Sequence, residues 1–336
     1  MSPPYAPIRT PPYNQVVVDH DPAERASWVS IGVFLVIAYG FAWLACLPLW
    51  LGDGLTSPWM LLCGGVMMYT PTLGALVAAK FVERQPKVLL NLGIWPVASW
   101  RRILTSIVIA FGVVLAVVLT ALVTSAIAGT YVFDLRTFHG AEQFFAAQLA
   151  AAGKAGTSLP MPIWVLVVVD LAALPLNSLI ASGLALGEEI GWRGFLYPRL
   201  RAKIGDTLAV VTVGVIWGVW HAPLLLLGYN YPTLAPGWRL VWMSVFCIQL
   251  TAILAWVRQR SRSVWPAAIG HGTVNASLAL TALMLGASPD LRTAAASLMG
   301  WAGWPVGLLL AVWLLWRHAL RPWRPEPATE AVHVGP

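Results

Sequence analysis

Along this chain, apolar stretches of roughly twenty residues alternate with short gaps that hold most of the cations. Twenty residues of helix rise about 30 Å, the thickness of a bilayer's hydrocarbon core. Inside hydrocarbon every backbone N–H and C=O must be bonded within the chain, so such stretches fold as helices. Eight spans are expected, near residues 28–51, 59–82, 103–128, 162–187, 207–227, 240–257, 264–285 and 298–316. Pro71, Pro175 and Pro223 fall inside or at the ends of spans, where a ring without an N–H bends or breaks a helix. The expected fold class is all-α: a polytopic membrane protein of about eight transmembrane helices, formed by residues 28–318.

Only 10% of the residues are charged and 58% are hydrophobic, against roughly 25% charged in soluble domains. A net charge of +7 and a pI near 9.6 raise the question of nucleic acid. The cations sit in gaps between apolar runs, however, which is the pattern that orients helices in a bilayer, so no nucleic-acid partner is expected. Seventeen of the 21 Lys and Arg fall in the N-terminal segment, the second, fourth and sixth gaps, and the C-terminal segment. Arg136, Lys154, Arg239 and Arg292 are left for the other four gaps. That alternation predicts both termini on the cytoplasmic side, and a plasma (cell inner) membrane location. Residues 1–27 and 319–336 are polar and proline-rich and read as disordered cytoplasmic tails. The third gap contains GAEQFFAAQLAAAG, either a short interfacial helix presenting Phe144, Phe145 and Leu149 or a plain connecting loop. Cys46, Cys63 and Cys247 all lie within apolar runs, without metal-site spacing, and read as buried thiols.

Ionisable residues inside a membrane are costly and point to function. Glu188 and Glu189 end the fourth span, with Arg193 four residues after Glu189. A cation alone would stop the span, so the two acids need another reason. Adjacent helical residues point about 100° apart, so the two carboxylates face different ways. Glu189 and Arg193, acid first at i, i+4, are placed to pair. Glu188 then stands free, four residues before Trp192, in surroundings that favour a raised pKa and suit a general base. His221 lies in span five with Trp217 one turn before it. His271 lies in span seven with Asn275 one turn after it. Each member alone has a plain explanation as helix-to-helix hydrogen bonding or a boundary cation. Two carboxylates, two imidazoles and an amide on three helices fit water-activated hydrolysis. Asp170, five whole turns before Glu188, is expected to make a hydrogen-bonded helix contact.

These residues resemble a known family. Glu188-Glu189-Ile-Gly-Trp-Arg193 is similar to the E-E-x-x-x-R motif of the CPBP intramembrane proteases, which include the type II CaaX prenyl endopeptidases and the bacterial bacteriocin-processing, Abi-type proteins. Trp217-x-x-x-His221 resembles the second motif of that family, an aromatic followed by His. His271-x-x-x-Asn275 resembles the third. Trp217 stands where family members often have Phe. The resemblance covers roughly residues 161–285 and implies a catalytic core there. It implies that Glu188 activates the attacking water, that His221 helps hold it, and that His271 and Asn275 stabilise the oxyanion. Glu189, Arg193 and Trp217 would shape the site.

The expected activity is therefore intramembrane endopeptidase cleavage of a peptide or lipidated-peptide substrate that reaches the site from the cytoplasmic side or from lipid. A non-cleaving immunity or binding protein is a rival, as is a transporter using the Glu/His cluster as a proton or metal relay. No cofactor is favoured. Zinc is possible, since Glu188, His221 and His271 could supply three ligands from three helices, enough for a catalytic ion. The H-E-x-x-H pattern is absent. The helical neighbours Trp217, which only donates, and Asn275 are poor second partners for zinc-bound imidazoles. A metal-free site is the expectation.

Overall fold

The computed structural model describes residues 27–95, 99–151, 153–283 and 294–317. The tails expected at 1–27 and 319–336 lie outside the described residues, apart from Ser27. Among the described residues the regular structure is helical throughout, and five helical stretches are long and apolar enough to cross a membrane. The Ser27 side chain accepts from the Ser30 amide at 2.9 Å, and Ser30 answers with a bond from the Ser27 amide, a reciprocal cap that starts α1 (Trp28–Leu51).

The eight expected spans map unevenly onto these helices. Span two is two helices, α2 (Met60–Met68) and α3 (Thr70–Val77), broken at Tyr69 with Pro71 in the first turn of α3. A π-helical turn, Ala78–Val82, and a single α-turn, α4 (Val88–Asn91), follow. Span three is α5 (Trp100–Ile127). The third gap does contain a helix, α6 (His139–Ala151). Phe144 and Phe145 pack against Ala141 and Val167, so α6 lies on the side of α7. The carboxylate of Asp134, just ahead of α6, accepts from the Thr137 hydroxyl and from the amides of His139, Thr137 and Arg136. Those bonds, the Thr137 hydroxyl first, hold its pKa well below the usual carboxylate range.

The fourth gap is a correction to the sequence reading. The last residue of α7 (Ile163–Glu189) is the second glutamate, but the helical run does not stop there. It runs directly into a π-helical turn, Ile190–Leu196, and then into α8 (Tyr197–Trp220). The break comes later, at Gly205, whose φ of 79° only glycine adopts readily. Span five is also shorter than expected. α8 stops at Trp220, His221 caps it, and Pro223 starts the single turn α9 (Ala222–Leu225). Spans six and seven are α10 (Pro236–Ser261) and α11 (Trp265–Leu283). Of span eight only α12 (Trp304–Trp316) is helical, at 13 residues.

Small residues bring the helices around the site together. Cβ atoms built on Gly214 and Gly218 would lie 2.5 Å from Ile248 and Ser244, so α8 meets α10 backbone to backbone along a G-x-x-x-G face. A Cβ on Gly272 would lie 2.4 Å from the Ser182 hydroxyl, which sets α11 equally close to α7. Large aliphatic side chains point away from the bundle at positions such as Leu61, Val108 and Ile180.

Candidate active site

The close contact of α7 with α11, and of α8 with α10, puts the three motifs on one cavity of about 320 Å³. Glu188, Trp217, His221, His271 and Asn275 all line it. The two glutamates do diverge. Glu188, only 2% exposed, faces the cavity. Its Oε2 accepts a 2.6 Å hydrogen bond from Trp217 Nε1, and no hydrogen bond from a described residue reaches Oε1. The aromatic beside Glu188 is thus Trp217, from α8. Trp192, four residues on, is buried against Phe34 and Trp220 instead. The π-turn that begins at Ile190 changes the angular spacing after the glutamates and carries Trp192 away from Glu188.

Glu189 points into protein. Its Oε1 accepts from Arg193 at 2.8 Å and from His271 Nδ1 at 2.9 Å. Arg193 is fully buried, donates to Thr251 on α10 at 3.3 Å, and stacks its guanidinium 4.1 Å from the centroid of the Trp217 ring. The Trp217 ring is shared further, since His271 meets it edge-on at 5.2 Å. Glu189 Oε2 and Arg193 Nε are buried without a partner among the described residues.

The two histidines are held in defined roles. His221 Nδ1 lies 2.8 Å from the Trp217 carbonyl oxygen, which can only accept. Nδ1 therefore carries the proton, and Nε2 of the neutral ring is an acceptor. His271 Nδ1 faces a carboxylate and also carries a proton. His271 then donates from Nε2 only as the imidazolium, the form that Glu189 balances in charge. The amide of Asn275, on the cavity wall, donates in either case.

Glu188, His221 and His271 share the cavity, yet among the described residues no three His, Cys, Asp or Glu side chains form a group able to hold a metal ion. Glu188 Oε2 and the Nδ1 of each histidine are already engaged with protein partners. The second partners of the two imidazoles are thus the Trp217 carbonyl and the Glu189 carboxylate rather than the Trp217 indole and Asn275. Zinc-bound imidazoles make such bonds too, so these bonds do not decide against a metal. No step below runs through one.

Asp170 departs from expectation. It is half-buried, and no hydrogen bond from a described residue reaches it. Two features near the site escaped the sequence reading. Thr251, a hydroxyl in an apolar span that also holds Ser244 and Gln249, gave only a weak signal. Arg199 reads in sequence as a boundary cation of the fourth gap. It is instead fully buried, bonded through Nε to Glu83 Oε1 at 2.7 Å and through its terminal nitrogen to Oε2. Glu83 also accepts from Ser30 at 2.8 Å. No spacing rule links positions 83 and 199, so only the fold could show the pair.

Fold and cavity together define a helical, multi-pass membrane protein in which an acid, two imidazoles and an amide meet on one buried wall. Residues 162–277, which contain all of these side chains, match the family model described as type II CAAX prenyl endopeptidase, Rce1-like. A stretch of 100 residues is 27% identical to the CAAX prenyl protease 2 of Methanococcus maripaludis, covering 29% of this chain and 37% of that protein. The chain thus aligns with little more than a third of that curated relative's length.

Proposed function

We propose that this chain is an intramembrane endopeptidase in which Glu188 activates the attacking water without a metal. The observation that carries the proposal is the asymmetry of the glutamate pair. Glu189 is neutralised by Arg193 and His271, while Glu188 presents a carboxylate oxygen to the cavity with only Trp217 bonded to its other oxygen. Water held between Glu188 Oε1 and the acceptor nitrogen of His221 gives its proton to Glu188 as its oxygen attacks the scissile carbonyl carbon. The carbonyl oxygen becomes an oxyanion, opposite the Asn275 amide and the His271 imidazolium. Glu188 then passes the proton to the leaving nitrogen as the C–N bond breaks, which restores the carboxylate.

The substrate we infer is a membrane-associated peptide. Five methionines, Met60, Met67, Met68, Met243 and Met299, line the cavity. Such a wall is flexible and apolar and adapts to side chains of different shape. The cavity reaches the bundle surface beside Leu61 and Leu184, both exposed. That favours entry from lipid between α2 and α7. A prenylated CAAX peptide, after the relative's name, is one candidate. A membrane-anchored peptide remnant is another. Following the cation distribution, we place both termini on the cytoplasmic side of the cell inner membrane.

The test uses purified full-length protein in lipid nanodiscs with a library of membrane-anchored peptides, some farnesylated, and mass spectrometry of the products. Cleavage at a defined bond that survives exhaustive chelation is the expected result. Intact peptides across the library would favour the binding or transport rivals. Activity lost on chelation and restored by one equivalent of zinc would overturn the metal-free mechanism.

A further inference from the structure

A second hollow, of about 850 Å³, lies apart from the catalytic cavity, between the end of α3 and the segment that runs on to Trp95. One wall is a strip of Leu73, Leu76, Val77 and Phe81, an apolar slot along the last turns of a membrane-spanning stretch. Lys80 and Lys87 also line it. Both are exposed, neither is in an ion pair with a described residue, and no acid lines the groove. The groove therefore joins an apolar slot to two uncompensated positive charges.

Its floor is built rather than incidental. Gln85, 5% exposed, lines the groove and donates its side-chain amide to Glu83, while its carbonyl oxygen accepts from Asn91 at 2.9 Å. Glu83 is locked in turn by Arg199 and Ser30. This buried network fixes the turn between α3 and α4 on which both lysines sit. Trp95, at the mouth, lies 6.4 Å from Trp100 at the start of α5, an aromatic pair at the level where helices leave the hydrocarbon.

We propose that this groove binds one anionic phospholipid, with an acyl chain along Leu73, Leu76, Val77 and Phe81 and the headgroup phosphate held by Lys80 and Lys87. Charge complementarity selects an anion, and the slot selects one that carries a hydrocarbon chain. A free phosphate would use the lysines alone, and a zwitterionic lipid the slot alone. Basic pockets at the cytoplasmic ends of transmembrane helices take anionic headgroups for the same reason. Each lysine contributes about 5.4-fold to the affinity, so the pair contributes roughly 30-fold.

The experiment adds phosphatidylglycerol, phosphatidylcholine or inorganic phosphate to delipidated full-length protein in detergent, and reads binding by native mass spectrometry and stability by thermal unfolding. One phosphatidylglycerol should bind and raise the unfolding temperature. The Lys80→Gln/Lys87→Gln variant should bind about 30-fold more weakly. Leu73→Trp, which fills the slot and leaves both lysines, should weaken binding as well. Lys154→Gln, between α6 and α7, should bind as the wild type does. Equal binding of phosphatidylcholine, an equal stabilisation by inorganic phosphate, or unchanged binding in either groove variant would overturn the proposal. So would a loss in Lys154→Gln as large as that of the lysine pair.

Discussion

Replacing Glu189 with Gln removes a charge that holds two other groups in place. Arg193 would keep the amide oxygen of the new side chain, the Thr251 hydroxyl at 3.3 Å and the face of Trp217, none of them charged, around a fully buried guanidinium. Leaving one member of a buried ion pair uncompensated costs about 3–5 kcal/mol. Glu189→Gln should therefore lose that much in reversible unfolding by denaturing detergent. The double variant Glu189→Gln/Arg193→Met removes both charges and keeps most of the volume, so most of the stability should return. Its activity should not return, because His271 Nδ1 would still lack the carboxylate that balances the imidazolium. A Glu189→Gln protein within about 1 kcal/mol of wild type, or a double variant as unstable as the single one, would refute the buried pair.

Three further outcomes follow from the same geometry. A methyl group on Gly191 would lie 2.3 Å from Pro71 Cβ and 2.8 Å from its carbonyl oxygen, so Gly191→Ala must push the π-turn away from α3. Displacing the glutamates by about 1 Å should lower peptide cleavage about 10²-fold, whereas Gly183→Ala, with nothing within 4 Å, should leave it unchanged. Asn275→Ala should lower kcat about 10²–10³-fold, the scale of one oxyanion donor, with the unfolding temperature near wild type. Cysteines placed singly at Lys203 and Arg260, in a background lacking Cys46, Cys63 and Cys247, should label from the cytoplasmic side. Labelling from the outer side would overturn the orientation.

The sequence revealed the site more fully than the helices that carry it. Glu188, His221, His271 and Asn275 stood out because ionisable and amide groups are conspicuous in apolar runs, and the fold brings all four to one cavity. The Glu189–Arg193 pair followed from i, i+4 spacing alone. The π-turn at Ile190–Leu196 did not, because no residue pattern in that stretch marks a shift of the hydrogen-bond register. That missed turn is why Trp192 seemed the neighbour of Glu188, a place that Trp217 holds. The tautomers of both histidines depend on a backbone carbonyl and on a carboxylate from another helix, neither visible in a linear pattern. Arg199 looked like a loop charge because charge counting assigns cations to gaps and cannot see a partner, Glu83, 116 positions away.

Replacing Glu188 with Gln tests the central claim most directly. Gln keeps the size of the side chain and can still accept from Trp217, but it cannot take a proton from water. Measured on purified protein with the best-cleaved peptide, Glu188→Gln should lose at least about 10²-fold in kcat, the scale of general-base loss, with the unfolding temperature of the wild type. Cleavage by a folded Glu188→Gln protein at close to the wild-type rate would contradict the account.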